Sequence, residues 1–261
     1  MHIAVLTKPV PDPASGAERL GPDGRLDRAA APSVVNGNDE YALEAALQLV
    51  EAHGGEVTIV AMAPSNATDT MRKALAMGAT RGVLVTDSQL AGADAPTTMR
   101  ILASALKDVG ADLVLAGVDT SDGTMGVVPA GIAALMGVPY LSYAARIEPD
   151  PAAGTVRVRR LSAKGYDVLE APMPALVSCT QALGAPRYPS LKGIMAARSK
   201  EIASRGLGDL GDGAATPPGG WSTKVVDSAP PPARGATRVV KGPAADAAKE
   251  VADFLAGRRI I

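Results

Sequence analysis

The sequence predicts an α/β fold: a mostly parallel, doubly wound sheet with helices on both faces, a small antiparallel addition and an extended C-terminal arm. Three observations predict it. From Met1 to about Tyr140, short apolar runs alternate with stretches whose apolar residues recur every three or four positions. Beyond Tyr140 apolar residues alternate with basic ones, the mark of a strand with one wet face. Past Leu183 the pattern gives way to glycine- and proline-rich chain with isolated apolar anchors.

Taken in order, Ile3 to Thr7 reads as the first strand, followed by a long polar connection containing Gly16, Gly21, Pro22 and Gly24. Ala42, Ala45, Ala46, Leu49 and Val50 line one face of a helix that closes near His53. Val57 to Met62 is the next strand, and Met71, Ala74 and Leu75 mark a helix ended by Gly78. After a short strand, Val83 to Thr86, the Asp94-Ala95-Pro96 sequence caps a helix with Met99, Leu102, Ala103 and Leu106 inward. Ala111 to Ala116 is a strand apolar enough to be covered on both faces, and Val127 to Met136 is an apolar helix. Thr155 to Leu161 and Tyr166 to Glu170 read as an antiparallel pair turning at Gly165, and Pro174 to Cys179 as a buried strand. A short helix with Ala247, Val251, Phe254 and Leu255 inward precedes Arg258-Arg259-Ile260-Ile261. The predicted organisation is a nucleotide-binding domain over residues 1–183, a partner-recognition segment over 184–204 and an arm over 205–261 that is either disordered or wrapped on another subunit; its anchors Trp221, Val225, Phe254 and Ile260 favour wrapping, since a disordered tail needs none.

Composition narrows the function. With 47% hydrophobic and 20% charged residues and a net charge of -1, the chain has no general electrostatic attraction for nucleic acid. Aromatic content of 3% denies it a base-stacking surface. One cysteine, Cys179, excludes an internal disulfide, and its apolar strand marks it as a small core residue. Two histidines, His2 and His53, are too few for the usual zinc or iron sites, so no metal is expected. No apolar run reaches membrane-spanning length and the N-terminus reads as a strand, which fits a cytoplasmic protein with no direct membrane insertion. No triad or poised base emerges, so catalytic residues are not expected.

What does emerge is a ligand crevice. In a parallel sheet, ligands bind outside the carboxyl ends of the strands. The turn Gly117 to Gly126 follows one strand and leads into the apolar helix, while Lys8-Pro9-Val10-Pro11-Asp12 follows the first. Gly123 and Gly126 permit tight turns, Thr124 brings a hydroxyl, and the helix start offers backbone amides to an anion. Phosphate contacts are therefore assigned to Gly123, Thr124 and Gly126, with Lys8 as the counter-charge and Pro9 and Pro11 stiffening the wall. Asp119, Ser121 and Asp122 either bind a ribose or cap the helix. Asn36-Gly37-Asn38-Asp39-Glu40 is a further polar rim in which Asn38 is either a helix cap or a ligand contact. The loop is neither the dinucleotide fingerprint nor a Walker loop.

A second segment runs from Arg187 to Lys200. Leu191, Ile194 and Met195 recur at helical spacing among Lys192, Arg198 and Lys200. Either this is a packed final helix with a solvated basic face, or Leu191 and Met195 anchor a protein partner that the basic rim attracts, with Met195 alternatively packing inward and leaving Leu191 as the exposed anchor.

Lys8 to Asp12, Asn38-Asp39-Glu40 with Ala42, Arg72 to Ala79, the Asp119-to-Gly126 loop, Pro186 to Pro189 and Leu191 to Met195 together resemble the beta subunit of electron transfer flavoprotein. The resemblance covers essentially the whole chain. It implies a heterodimer with an alpha subunit that holds most of a single FAD, and an AMP buried in this chain. It also implies electron donors of the acyl-CoA dehydrogenase type and an electron transfer flavoprotein–quinone oxidoreductase as acceptor. The AMP site corresponds to Lys8, Pro9, Ala61, Met62, Ala63 and the loop from Asp119 through Ser121, Asp122, Gly123, Thr124, Met125, Gly126 and Val127 into the helix, with Asn38 and Asp39 at its rim. Leu191 occupies the place of the leucine that enters the donor's pocket, with Ile194 and Met195 beside it. The loop is shorter than in mitochondrial-like relatives, and Asn38 stands where many carry an apolar residue near the flavin. Alternatives are a bifurcating complex with a second FAD in place of AMP, and a stand-alone nucleotide sensor.

Overall fold

The computed structural model describes residues 1–211, 222–229, 232–233, 235 and 237–261. They form two compact units, Met1–Val225 and Val226–Ile261. Trp221, Pro217-Pro218 and Pro230-Pro231 lie outside the described residues.

In the first unit the chain runs through β1 (His2–Leu6), β2 (Pro9–Pro11), β3 (Ser33–Val35), α1 (Gly37–His53), β4 (Glu56–Met62), α2 (Thr68–Met77), β5 (Arg81–Val85) and α3 (Ala95–Val109). It continues through β6 (Leu113–Gly117), α4 (Val128–Met136), β7 (Tyr140–Asp150), β8 (Thr155–Ser162), β9 (Gly165–Pro172), β10 (Ala175–Cys179), α5 (Leu191–Ala197) and β11 (Ile202–Arg205). Among the described residues, nine strands make one sheet in the order β11-β5-β4-β1-β6-β10-β7-β8-β9. All pairings from β11 to β7 are parallel, whereas β7, β8 and β9 pair antiparallel. The small addition is thus a hairpin on one flank of the parallel sheet. A separate pair, β2 and β3, hangs off the end of β1.

The two faces of the sheet bury separate cores, as strand alternation requires. Ile3, Val5, Ile59, Leu113 and Leu115 pack with Leu43 of α1 and Met71 and Leu75 of α2. Ala4, Leu6, Val60 and Val114 pack with Ile101 and Leu106 of α3 and Ile132 of α4 on the opposite face. Asp94 caps α3 by accepting the Thr97 N–H at 3.0 Å, and Gly78, at φ +144°, closes α2. His53 is exposed in the last turn of α1, and Cys179 is buried, its thiol pushed up by desolvation.

β1 and β6 are neighbours, yet the chain leaves β1 towards β4 and reaches β6 only after crossing back from β5. Their carboxyl ends therefore flank a topological switch point.

The second unit is a polar segment and α6 (Ala244–Gly257). The sequence places Ala247, Val251, Phe254 and Leu255 inward. In the structure, however, Val251 and Phe254 are exposed, and only Ala247 and Leu255 are partly covered. No helix among the described residues is long and apolar enough to cross a membrane.

Candidate functional site

Three segments meet at the switch point: the chain after β1, the loop after β6 and the first turn of α1. Asp39, buried in that turn, binds the first two together. Its Oδ2 accepts the Lys8 N–H at 2.8 Å and its Oδ1 the Gly117 N–H at 3.2 Å. The approach is so close that a Cβ on Gly117 would stand 2.5 Å from Asp39 Oδ1 and 2.8 Å from the Asn38 backbone. A glycine is needed there for contact, not for conformation. Burial pushes the Asp39 carboxyl up to about 7, against the pull of its hydrogen bonds.

Two asparagines set the loop after β6. Asn36, almost wholly buried, donates from Nδ2 to the Asp119 carbonyl at 2.8 Å and accepts the Ser121 N–H at 3.1 Å. Asn38 donates to Asp119 Oδ1 at 2.6 Å. The helix begins at Gly37 with Asn36 in the cap position, so Asn38 lies inside the first turn, and its amide is used across the crevice.

The loop carries a buried charge cluster. Asp122, its side chain 1% exposed, accepts from Lys8 Nζ at 2.9 Å and from Arg28 at 2.5 Å. Burial pushes its carboxyl up, but Lys8, Thr120 and Arg28 outweigh that and hold it at about 2. An aspartate set directly against a phosphate repels it; here the charge of Asp122 is matched, leaving one positive charge in excess across Lys8, Arg28 and Asp122. Arg28 was not legible in the sequence, since it comes from the aperiodic connection between β2 and β3.

From Asp122 the chain turns sharply. Gly123 and Thr124 both donate their N–H to the Thr120 carbonyl, Thr124 sits at φ +47° and Gly126 at φ +66°. Met125 and Val127 stay exposed, and α4 then starts with no side chain capping it. The first-turn amides of a helix are ordinarily capped by a side chain, water or a ligand. Ala61, buried, and Met62 and Ala63 end β4 at the same sheet edge, with the Ala63 N–H on the Val85 carbonyl at 3.1 Å. Pro9 opens β2 and pairs with Val35.

The partner segment lies elsewhere. Arg187 grips α1 through Glu44 (Nε to Oε2, 2.7 Å) and Glu51 (Nη1 to Oε1, 2.5 Å), and Ser190 caps α5 by accepting the Gly193 N–H at 3.0 Å. Burial raises the Glu44 carboxyl, but the Arg187 hydrogen bonds prevail and lower it. Leu191 is 75% exposed, Met195 65% and Ile194 46%, while Ala197 is buried. Met195, equally suited by sequence to pack inward, stays outside.

The electron transfer flavoprotein domain family matches the chain over residues 23–209. The electron transfer flavoprotein subunit beta of Mycobacterium leprae (strain TN) is 37% identical across 100% of this chain and 99% of its own. Protein FixA of Azorhizobium caulinodans is 38% identical over 81% of this chain and 77% of its own. The acryloyl-CoA reductase electron transfer subunit gamma of Anaerotignum propionicum is 31% identical from end to end of both chains. Subunits of this kind serve an electron carrier without catalysing a reaction themselves. The chain belongs to the electron transfer flavoprotein family, as a beta subunit.

Proposed function

We propose that this beta subunit holds an AMP in the crevice at the ends of β1, β4 and β6, and pairs with an alpha subunit that carries most of a single FAD. The observation that supports this best is the sharp loop, lined by Lys8 and Arg28, that ends on the uncapped start of α4. Backbone amides and an excess positive charge there suit a phosphate monoester. Gly123, Thr124 and Gly126 face the phosphate, Asp119 and Ser121 shape the ribose side, and Ala61, Met62, Ala63 and Pro9 wall the base. Asn38 and Asp39 hold the rim. Asp122 keeps Lys8 and Arg28 together.

FAD supplies the electron-accepting ring when bound. This chain's residues bind, orient and present: Leu191 enters a pocket of an acyl-CoA dehydrogenase donor, with Ile194 and Met195 beside it, and α6 and the segment before it wrap the alpha subunit. The acceptor is an electron transfer flavoprotein–quinone oxidoreductase, and the carrier works in the cytoplasm.

The test is mass spectrometry of small molecules released from the chain co-expressed and purified with its alpha subunit. One FAD and one AMP per heterodimer are expected, and the absence of adenine nucleotide other than FAD overturns the assignment. The end-to-end likeness to a subunit named for an acryloyl-CoA reductase favours a second reading, in which the crevice holds a second FAD and the electrons reach a CoA-linked reductase. Two FAD and no AMP would decide for it.

A further inference from the structure

The short helix α5 is pinned to α2 by devices that none of the binding roles above require. At the C-terminal end of α5, Arg72 of α2 donates from Nη1 to the Ala197 carbonyl at 2.6 Å and to the Lys200 carbonyl. In return Lys200 reaches back past the end of α2 and donates from Nζ to the Leu75 carbonyl at 3.0 Å and the Ala79 carbonyl at 2.6 Å. Each helix end, where carbonyls lack intrahelical partners and carry partial negative charge, is thus met by a cation from the other element. Near the start of α5, Gly193 lies directly on the Ala76 carbonyl, where any Cβ would collide. Ala197 is buried in the same core as Ala76 and Met77.

The contacts all fall on one side of α5, and Leu191, Ile194 and Met195 project from the other. Lys200 is half-buried with its Nζ donated to the two α2-end carbonyls, so it does not stand with the basic residues offered to an incoming protein. We propose that Arg72 and Lys200 are positioning residues: a crossed pair of helix-end clamps that, with Gly193, hold α5 in the one pose that presents Leu191 and Met195 to the electron donor. This rests on the reading of α5 as the donor-recognition element. A seven-residue helix has little stability of its own, so without the clamps its exposed face would be presented only part of the time.

The experiment uses the purified heterodimer and four variants: Lys200→Met, Lys200→Arg, Arg72→Met and Leu191→Ala. Hydrogen–deuterium exchange across residues 190–200 reads the pose, and the KM for the reduced dehydrogenase donor reads its consequence. Lys200→Met and Arg72→Met are expected to speed exchange there, and to raise the donor KM, by about threefold or more, the scale of a cation lost from a helix C-terminus. Flavin content and reduction by dithionite stay at parent values, and Lys200→Arg restores both readouts. Leu191→Ala raises KM without altering exchange. Should Lys200→Met not assemble, Arg72→Met reads the other half of the pair.

Parental exchange in both methionine variants would overturn the clamp. So would faster exchange with an unchanged KM while Leu191→Ala raises it. An unchanged KM in Leu191→Ala would instead overturn the recognition reading, and the exchange data would still decide whether the clamp exists.

Discussion

Single positions in the crevice differ in what they require of a residue. Gly117 is fixed by contact, since its Cα meets the first turn of α1 with no room for a methyl group. Gly126 is fixed by conformation: at φ +66° a Cβ would find ordinary contacts, 3.5 Å from the Val118 carbonyl, but an L-residue is strained there. A β-branched side chain is the least tolerant of such a backbone. Gly126→Val is therefore expected to destabilise the turn by about 1–3 kcal/mol and to lower both AMP retention and heterodimer yield. Full nucleotide occupancy in the purified variant, measured by mass spectrometry, would separate this loop from phosphate binding. The glycines and Thr124 could be chosen from sequence because their residue types announce turns. Arg28 could not, and although Asn36, Arg72 and Lys200 lie in segments the sequence singles out, the partners they bind could not be named from it. Each acts through a partner dozens of residues away, and nothing in their local pattern distinguishes them from solvated side chains.

The elements show the same division. α1 to α4 and the strands β1, β4, β5, β6, β8, β9 and β10 follow from hydrophobic spacing, because each has a face that the core must cover. β7 was not legible: its register breaks at a bulge between Ala144 and Arg146, and Tyr143 at φ +53° interrupts the alternation. β2 consists of two prolines around Val10, and β11 is a half-polar edge strand of four residues, so neither carries a usable pattern.

The first turn of α1 and the loop after β6 also impose opposite responses to pH. Asp39 has a folded value of about 7 against an ordinary 3.8, so the folded chain holds a proton across that interval that the unfolded chain has released. Its contribution to stability therefore falls as pH rises through this window and is a constant penalty above it. Asp122, held at about 2, contributes stability that is complete above 3.8 and is lost as pH falls towards 2. The expected melting temperature rises on acidification from about pH 7 to pH 5 and declines below about pH 4. Asp39→Asn should flatten the upper limb and Asp122→Asn the lower. An upper limb that persists in Asp39→Asn would assign it to another group.

For the whole molecule, the separation into Met1–Val225 and Val226–Ile261 bears on assembly. The second unit buries none of the apolar side chains of α6, whose Val251 and Phe254 remain exposed, and Arg258 covers only one face of the Phe254 ring, at 4.4 Å. A helix that hides so little of its own surface gains stability only from a partner. Removing residues 226–261 is expected to leave the melting of the first unit within about 1 kcal/mol of the parent, because none of its core comes from that segment. The yield of heterodimer on co-expression should fall several-fold. An undiminished yield, read by size exclusion, would show that the arm does not wrap the alpha subunit. Spaced apolar anchors in a polar stretch are what the sequence offers for the proposed wrapping, and the partner that would cover them is not encoded in their spacing.

The position of β10 has a consequence for how the chain is made. Although last in sequence among the inner strands, it inserts between β6 and β7 and pairs in parallel with both. During synthesis β6 and β7 therefore cannot be joined in one sheet until the residues through Cys179 are available to pair between them. Nascent chains stalled before that point would expose two unsatisfied edges at once, a state suited to chaperone capture.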